Sequence, residues 1–408
     1  MDRKTIYLIC LAIYLIIVFS IEFAYREPLY EESVKYIEKI NQEGFFHYFY
    51  LFFTYIYLVG VIAIGMIVVL LFYPINIFFC NISFLLFSIF SMSIFKSSYA
   101  SPRPYWDIFL KWKKNNIPLP KVTECDGEFG NPSGHALLNM YILVLWHLFI
   151  NSNFVTKIEN NLYKKIVKIS SLVIVVICMI FCAYSRIHRQ VHSFNQIIHG
   201  TLLGLSIVFF LCYIFEYHKI KTNEFILLLD RLKYIIIPIA LVLYAISIIV
   251  GLTVHNSNED VYTELLKEIC GYKGGYDMFG KNTALISSII FLPIGGYLGF
   301  LYLKYKINKS DKKELMEKII YNWNKGKILY TILIALFSFL LPSLLLLPFV
   351  FIPSDYYIPK FIVFFIASFC YGFLGFGPCF CFISEKLRKS EFENQEPLTN
   401  SENNDNKK

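Results

Sequence analysis

Residues 166–216 read IVKISSLVIVVICMIFCAYSRIHRQVHSFNQIIHGTLLGLSIVFFLCYIFE. Two apolar runs, 166–184 and 197–216, are each close to the ~20 residues that a helix needs to cross a bilayer. A short turn rich in Arg, His and Ser separates them. The stretch therefore predicts a membrane hairpin with polar chemistry at its bend. Further apolar runs at 6–24, 50–73, 76–95, 134–150, 234–253, 283–305, 328–351 and 358–383 bring the expected helices to ten. The fold class expected is all-α, a polytopic membrane helix bundle of about ten transmembrane helices. Composition agrees: of 408 residues 56% are hydrophobic, 18% aromatic and only 17% charged, and the mean hydropathy is +0.54. Bilayer, not water, is the solvent of such a chain.

An even helix count places both termini on one side. That side holds the N-terminus, the loops near 151–168, 217–233 and 304–327, and the tail, and it carries most of the 38 Lys and Arg residues. By the positive-inside rule it is cytosolic. The first run follows Arg3 and Lys4 but lacks a small-x-small cleavage site, so it reads as a retained anchor and not a signal peptide. Residues 384–408 have too little apolar surface to fold and are expected to be a disordered cytosolic tail. The expected organisation is thus an additional N-terminal helix with a lumenal linker (1–45), a membrane phosphatase domain (46–383) and the tail.

Eight of the ten cysteines lie in apolar runs, where they act as small hydrophobes; Cys125 and Cys270 sit in polar loops. No Cys-x-x-Cys pair with zinc-spaced histidines and no Gly-rich nucleotide loop occurs, so no metal, cofactor or nucleic acid is expected.

Three segments carry chemistry. After the run at 76–95 comes KSSYASPRPYW, with Lys96 and Arg103 at the membrane boundary. Lys and Arg also serve there as plain interfacial anchors. Next, ECDGEFGNPSGHALLNMY runs Asn131-Pro132-Ser133-Gly134-His135 into a helix start. The unpaired N–H groups of Ser133 and Gly134 and the helix dipole suit an anion there, although an N-cap turn with an incidental histidine is the plainer reading. Third, YSRIHRQVHSFNQIIHG places Ser185, Arg186, His192 and Gln196 in the hairpin bend. The alternation of helices puts all three segments on one membrane face, where Lys, Arg and His residues gather. Phosphoryl transfer needs mainly positioning and charge stabilisation, which fixed cations provide.

Taken in order, Lys-x6-Arg-Pro, Pro-Ser-Gly-His and Ser-Arg-x5-His resemble the type 2 phosphatidic acid phosphatase and vanadium haloperoxidase superfamily. The resemblance implies that His192 attacks phosphorus and forms a phosphohistidine, that His135 protonates the leaving oxygen, and that Lys96, Arg103 and Arg186 hold the phosphoryl oxygens. Most members carry Asp four residues after the nucleophile, where this chain has Gln196. Glucose-6-phosphatases are similar here: they have Gln at that position, Arg-Pro-Tyr-Trp as at Arg103 to Trp106, and a Cys before the second motif, as Cys125 is here. The similarity spans about 45–383 and is weaker after Gly204. It implies hydrolysis of glucose 6-phosphate on the lumenal face of the endoplasmic reticulum, with a sugar-phosphate transporter as a candidate partner. Departures are the extra helix at 6–24, Asn195 in place of a second histidine, and a terminal Asp-Asn-Lys-Lys whose lysines are out of register for dilysine retrieval. Cys125 and Cys270 share the proposed lumenal face, where a disulfide or two free thiols are both open. The acidic loop 254–282 is given no role. Two other readings compete: a lipid phosphate phosphatase acting on phosphatidic acid or sphingosine 1-phosphate, and a non-catalytic anion permease.

Overall fold

The computed structural model describes residues 3–40, 45–57, 60, 64–67, 69, 75–119, 125–213, 222–271, 279–311, 313–321, 328–346, 352 and 356–393. Among these there is no β-strand, and seven helices are long and apolar enough to cross a membrane. Each falls on one of the ten expected. Gly134–Leu148 and Leu329–Phe339 are shorter apolar helices at two further expected positions. The run at 50–73 falls partly outside the described residues; its start holds the end of α2 (Phe45–Leu51) and a π-helical continuation, Phe52–Tyr57.

The chain divides into two compact units. The first comprises residues 1–65, 87–220 and 243–287. It contains α1 (Arg3–Ile37), the later part of α3 (Ile75–Tyr99), α4 (Pro104–Lys114), α5 (Gly134–Asn153), α6 (Asn161–His188), α7 (Phe194–Cys212), the end of α8 (Thr222–Thr253), α9 (Glu259–Cys270) and α10 (Phe279–Ile286). The second comprises residues 66–86, 221–242 and 288–408. There α11 (Phe291–Lys309) packs on α14 (Tyr357–Phe376), because a Cβ at Gly295 would meet the Phe369 carbonyl and one at Gly372 the Leu292 carbonyl. Phe79, Phe300, Phe339 and Phe376 form its aromatic centre.

Within the first unit α7 packs on α5 and on α1. Gly200 and Gly204 form a small-xxx-small stripe: side chains there would strike the Ser133 and Leu137 carbonyl oxygens. In lipid, where apolar surface gains nothing by leaving its solvent, such close backbone approach is a main source of helix association. The same stripe draws the start of α7 against the Pro-Ser-Gly-His turn.

Several loops expected from sequence are helices. The linker after residue 24 continues α1 to Ile37, since Tyr30, Ser33, Val34 and Ile37 recur on one helical face and pack inward. At 1.5 Å per residue, α1 is ~52 Å long and overruns the ~30 Å hydrocarbon layer. The acidic loop 254–282 contains α9: Tyr262, Leu265 and Leu266 are buried, Asp260, Glu264 and Glu268 face out, and Gly271 ends the helix at φ 67°. Asp277 lies outside the described residues. The stretch at 217–233 is helical from Thr222, and the helix of the closing segment, α15 (Pro378–Glu393), runs ten residues into the expected tail; residues 394–408 lie outside the described residues.

The buried side chains of α4, α9 and their flanking loops build an apolar cap under the motif segments. Trp106 stacks near Tyr262 (5.2 Å) and Phe279 (5.4 Å), with Phe129, Leu265, Leu266, Ile187 and Ile37 completing the cluster. Cys125 and Cys270 form a disulfide that ties the segment before the Pro-Ser-Gly-His turn to the end of α9.

Candidate active site

Lys96 lies one turn before the end of α3. Ala100 then adopts a left-handed conformation (φ 44°) that turns the chain back. Arg103 follows in extended conformation as the residue before α4, whose first position is Pro104. Ser133 stands in the same role before α5, so the N–H groups of that helix's first turn lack helical partners. Arg186 closes α6, and His192 sits in the bend before α7. Lys96, Arg103, Arg186, His192, Ser133, Gly134 and Gln196 are buried and His135 is half-buried.

His192 is held from both sides. Its Nδ1 lies 3.2 Å from Gln196 Oε1, and its Nε2 lies 3.5 Å from Arg103 Nη1. The Gln196 amide cannot be reversed, because its Nε2 donates to the Pro102 carbonyl at 2.8 Å and its Oε1 also accepts the Ser193 N–H at 3.3 Å. Oε1 is therefore an acceptor, Nδ1 carries the imidazole proton, and Nε2 keeps its lone pair. An aspartate could accept from Nδ1 but could not donate to Pro102, so Gln196 joins the third motif to the first. Burial, then the charges of Arg103, Arg186 and Lys96, push the His192 pKa well below the usual imidazole range.

Burying three cations is costly unless each is paired. The pairing comes from a segment that sequence reasoning left without a role. Asp126 bridges Arg103 Nη1 (2.8 Å) and Arg186 Nη2 (3.6 Å), and Glu128 binds Lys96 Nζ at 2.5 Å. Burial alone would raise the Asp126 carboxyl, but Arg103, Arg186 and Lys96 outweigh it and hold its pKa at about 2. Arg103 and Arg186 are thus aimed at one oxygen of Asp126, while Lys96 is aimed at Glu128. The signal lay in the sequence as CDGE directly before the turn, acidic residues whose partners are 23 to 60 positions away.

Arg103 is held at several points: Nε donates to the Glu128 carbonyl (2.7 Å) and Nη1 to the Val191 carbonyl (3.2 Å) while also meeting Asp126. Arg103→Lys keeps the charge and loses the fork, so kcat/KM for a phosphate ester is expected to fall about 10²-fold or more. Full activity in the purified variant would show that charge alone suffices there.

Three separated segments therefore converge around His192, whose Nε2 faces Arg103. Residues 55–220 match the PAP2 superfamily. The matched span holds all three of the segments described above, from Lys96 to Gln196, and is less than half of the chain. PAP2 is a phosphatase family, and its match agrees with a membrane-helical protein that hydrolyses phosphoesters. No curated protein and no solved structure matches the chain. Helix α1 lies wholly before the PAP2 match, and α8 and every described helix that follows it lie wholly after.

Proposed function

We propose that the protein hydrolyses a phosphate monoester, glucose 6-phosphate foremost, through a phosphohistidine, at a site facing the lumen of the endoplasmic reticulum with both termini cytosolic. The observation that carries this reading is the locked tautomer of His192, whose Nε2 lone pair is presented beside Arg103. In the proposed reaction Lys96, Arg103, Arg186 and the Gly134 N–H hold the phosphoryl oxygens, while the Ser133 N–H, which the sequence grouped with them, is taken by the Gln196 carbonyl. His192 Nε2 donates its lone pair to phosphorus as the ester P–O bond breaks, and the leaving oxygen takes a proton from His135. Neutral His135 then accepts a proton from water, the water oxygen attacks phosphorus, and the N–P electron pair returns to His192. Gln196 accepts the Nδ1–H throughout, orienting the ring while adding no negative charge.

A sugar is favoured over a lipid by Gln196, by the Arg103–Trp106 sequence and by the chemistry around the cations. Asp126 and Glu128 accept hydroxyl hydrogens well and have nothing to offer an acyl chain. The test is phosphate release by detergent-solubilised protein from glucose 6-phosphate, mannose 6-phosphate, phosphatidic acid and sphingosine 1-phosphate. Selective release from glucose 6-phosphate is expected. Release from the lipids alone would move the substrate into the bilayer, and release from none would leave an anion permease.

The acid limb of the rate profile offers an independent check. Only neutral His192 attacks, and its depressed pKa keeps it neutral as pH falls through 6.5. The limb of kcat/KM is therefore expected to follow the substrate's second phosphate ionisation, at pKa ~6. Comparing esters of different phosphate pKa tests this, since a limb that stayed in place across them would mean that the enzyme's own imidazole titrates.

A further inference from the structure

Helix α1 precedes the family match, yet it bonds to the second and third motif segments and to Asp107, the residue that follows the first. Tyr30 Oη donates to Asp107 Oδ2 in α4 at 2.7 Å. Glu22 Oε1 accepts from Asn131 Nδ2 at 2.8 Å, and Asn131 opens the Pro-Ser-Gly-His turn. Ser33 Oγ accepts the Phe194 N–H at 2.9 Å, and the Ile37 carbonyl accepts from Gln190 Nε2 at 3.3 Å, so both flanks of His192 are held. Glu22, Ser33 and Asn131 are fully buried. A bare membrane anchor needs none of this, and an acidic side chain inside an apolar helix is retained only against a cost.

We propose that Glu22 is a positioning residue for the Asn-Pro-Ser-Gly-His turn, and that α1 is a working part of the phosphoryl site. The inference rests on the reading above, in which that turn binds phosphate. Both ends of the Asn131 amide are engaged: Nδ2 on Glu22, and Oδ1 as acceptor from His199 Nδ1 at 2.9 Å. His199 is itself buried and enclosed by Tyr99 (5.1 Å), Phe19 (5.9 Å) and Phe95 (6.2 Å). Two residues after Asn131, the Ser133 N–H donates to the Gln196 carbonyl at 2.9 Å. The turn is thus pinned before and after Pro132, by α1 on one side and by α7 on the other. Beside those pins lie the backbone donor of Gly134 and the ring of His135. Arg26, one turn on from Glu22 and over the Tyr99 ring at 5.5 Å, supplies a nearby positive charge. Without Glu22, the Asn131 amide has a buried donor with no acceptor and can satisfy it only by moving. A shift of ~1 Å in positioning groups costs about 10²-fold in rate.

The full-length protein in detergent provides the test. Glu22→Leu is expected to lower kcat/KM by about 10²-fold and to weaken inhibition by inorganic phosphate by about 10-fold. Glu22→Gln keeps an acceptor oxygen for Asn131 and is expected to stay within a few-fold of wild type. Tyr14→Phe, which removes a bond from α1 to the Leu202 carbonyl away from the motifs, is expected to change neither readout. A structural role would reduce the yield of folded protein and leave both quantities unchanged per folded molecule; that result for Glu22→Leu overturns the proposal. If Glu22→Leu does not fold, Asn131→Asp and the double variant Glu22→Gln with Asn131→Asp decide. The single change sets two carboxylates together, and the double change restores a donor–acceptor pair. Recovery of phosphate inhibition in the double variant is expected, and no recovery overturns the proposal. A wild type that is stabilised by inorganic phosphate but hydrolyses no ester would sink the hydrolase reading alone. The rise in unfolding temperature with phosphate, compared between wild type and the Glu22 variants, would then still decide the role of Glu22.

Discussion

His192→Ala is expected to lower phosphate release by about 10⁴-fold or more, and to abolish the acid-labile phosphoenzyme trapped from a labelled ester. The size follows from the group removed. Apart from the proton transfers by His135, the rest of the proposed reaction, from the three cations to the Gly134 N–H, only positions and stabilises the phosphoryl group, whereas His192 Nε2 forms the new bond. Its Nδ1–H is committed to Gln196 Oε1, and Arg103 Nη1 is 3.5 Å from Nε2, so the attacking atom already stands at the cation that holds its target. Truncation also leaves Gln196 with one acceptor contact fewer, and a thermal unfolding curve of the purified variant separates that loss from the loss of chemistry. A variant that keeps normal turnover, or still accumulates phosphoenzyme, would place the nucleophile elsewhere.

The second large effect is expected at His135, and its signature is selectivity among leaving groups. A sugar alkoxide departs poorly unless it is protonated, so His135→Ala should cost about 10²- to 10⁴-fold for a sugar phosphate. An aryl phosphate with a good leaving group needs no proton at that step and should lose much less. The ratio of kcat/KM for the two esters, wild type against variant, reads the role directly. Equal losses on both would make His135 a phosphate-binding group and leave the leaving oxygen to another acid.

Much of this site was legible before any coordinates. Lys96, Arg103, Ser133, Gly134, His135, Arg186, His192 and Gln196 stand in three short segments whose spacing is recognisable, and alternation of apolar helices suffices to bring their ends to one face. The structure does bring these segments together, within one unit. What escaped is what depends on pairing between distant residues. Asp126 and Glu128 looked like any acidic pair in a loop, and α9 looked like solvated chain because five of its twelve residues are charged. Its inward face, Tyr262, Leu265 and Leu266, has meaning only against Trp106 and Phe109, more than 150 positions earlier. The first helix was read to residue 24 because hydropathy ends there, whereas helical structure persists to Ile37 on a polar, amphipathic face that hydropathy does not weigh.

By itself, then, the sequence determined that this chain is helical and lives in a bilayer, because runs of apolar side chains long enough to span leave no other way to satisfy the backbone. It also singled out the three segments, from Lys96 to Gln196, for which phosphate chemistry is proposed. Only the tertiary structure decided how the site is balanced and braced: that Asp126 and Glu128 neutralise its cations, that Gln196 locks the His192 tautomer by donating to Pro102, and that Glu22 reaches Asn131 across 109 residues of chain. Hydrogen bonds and ion pairs act over about 3 Å, and which groups come that close is settled by how helices pack and not by where residues stand in the chain.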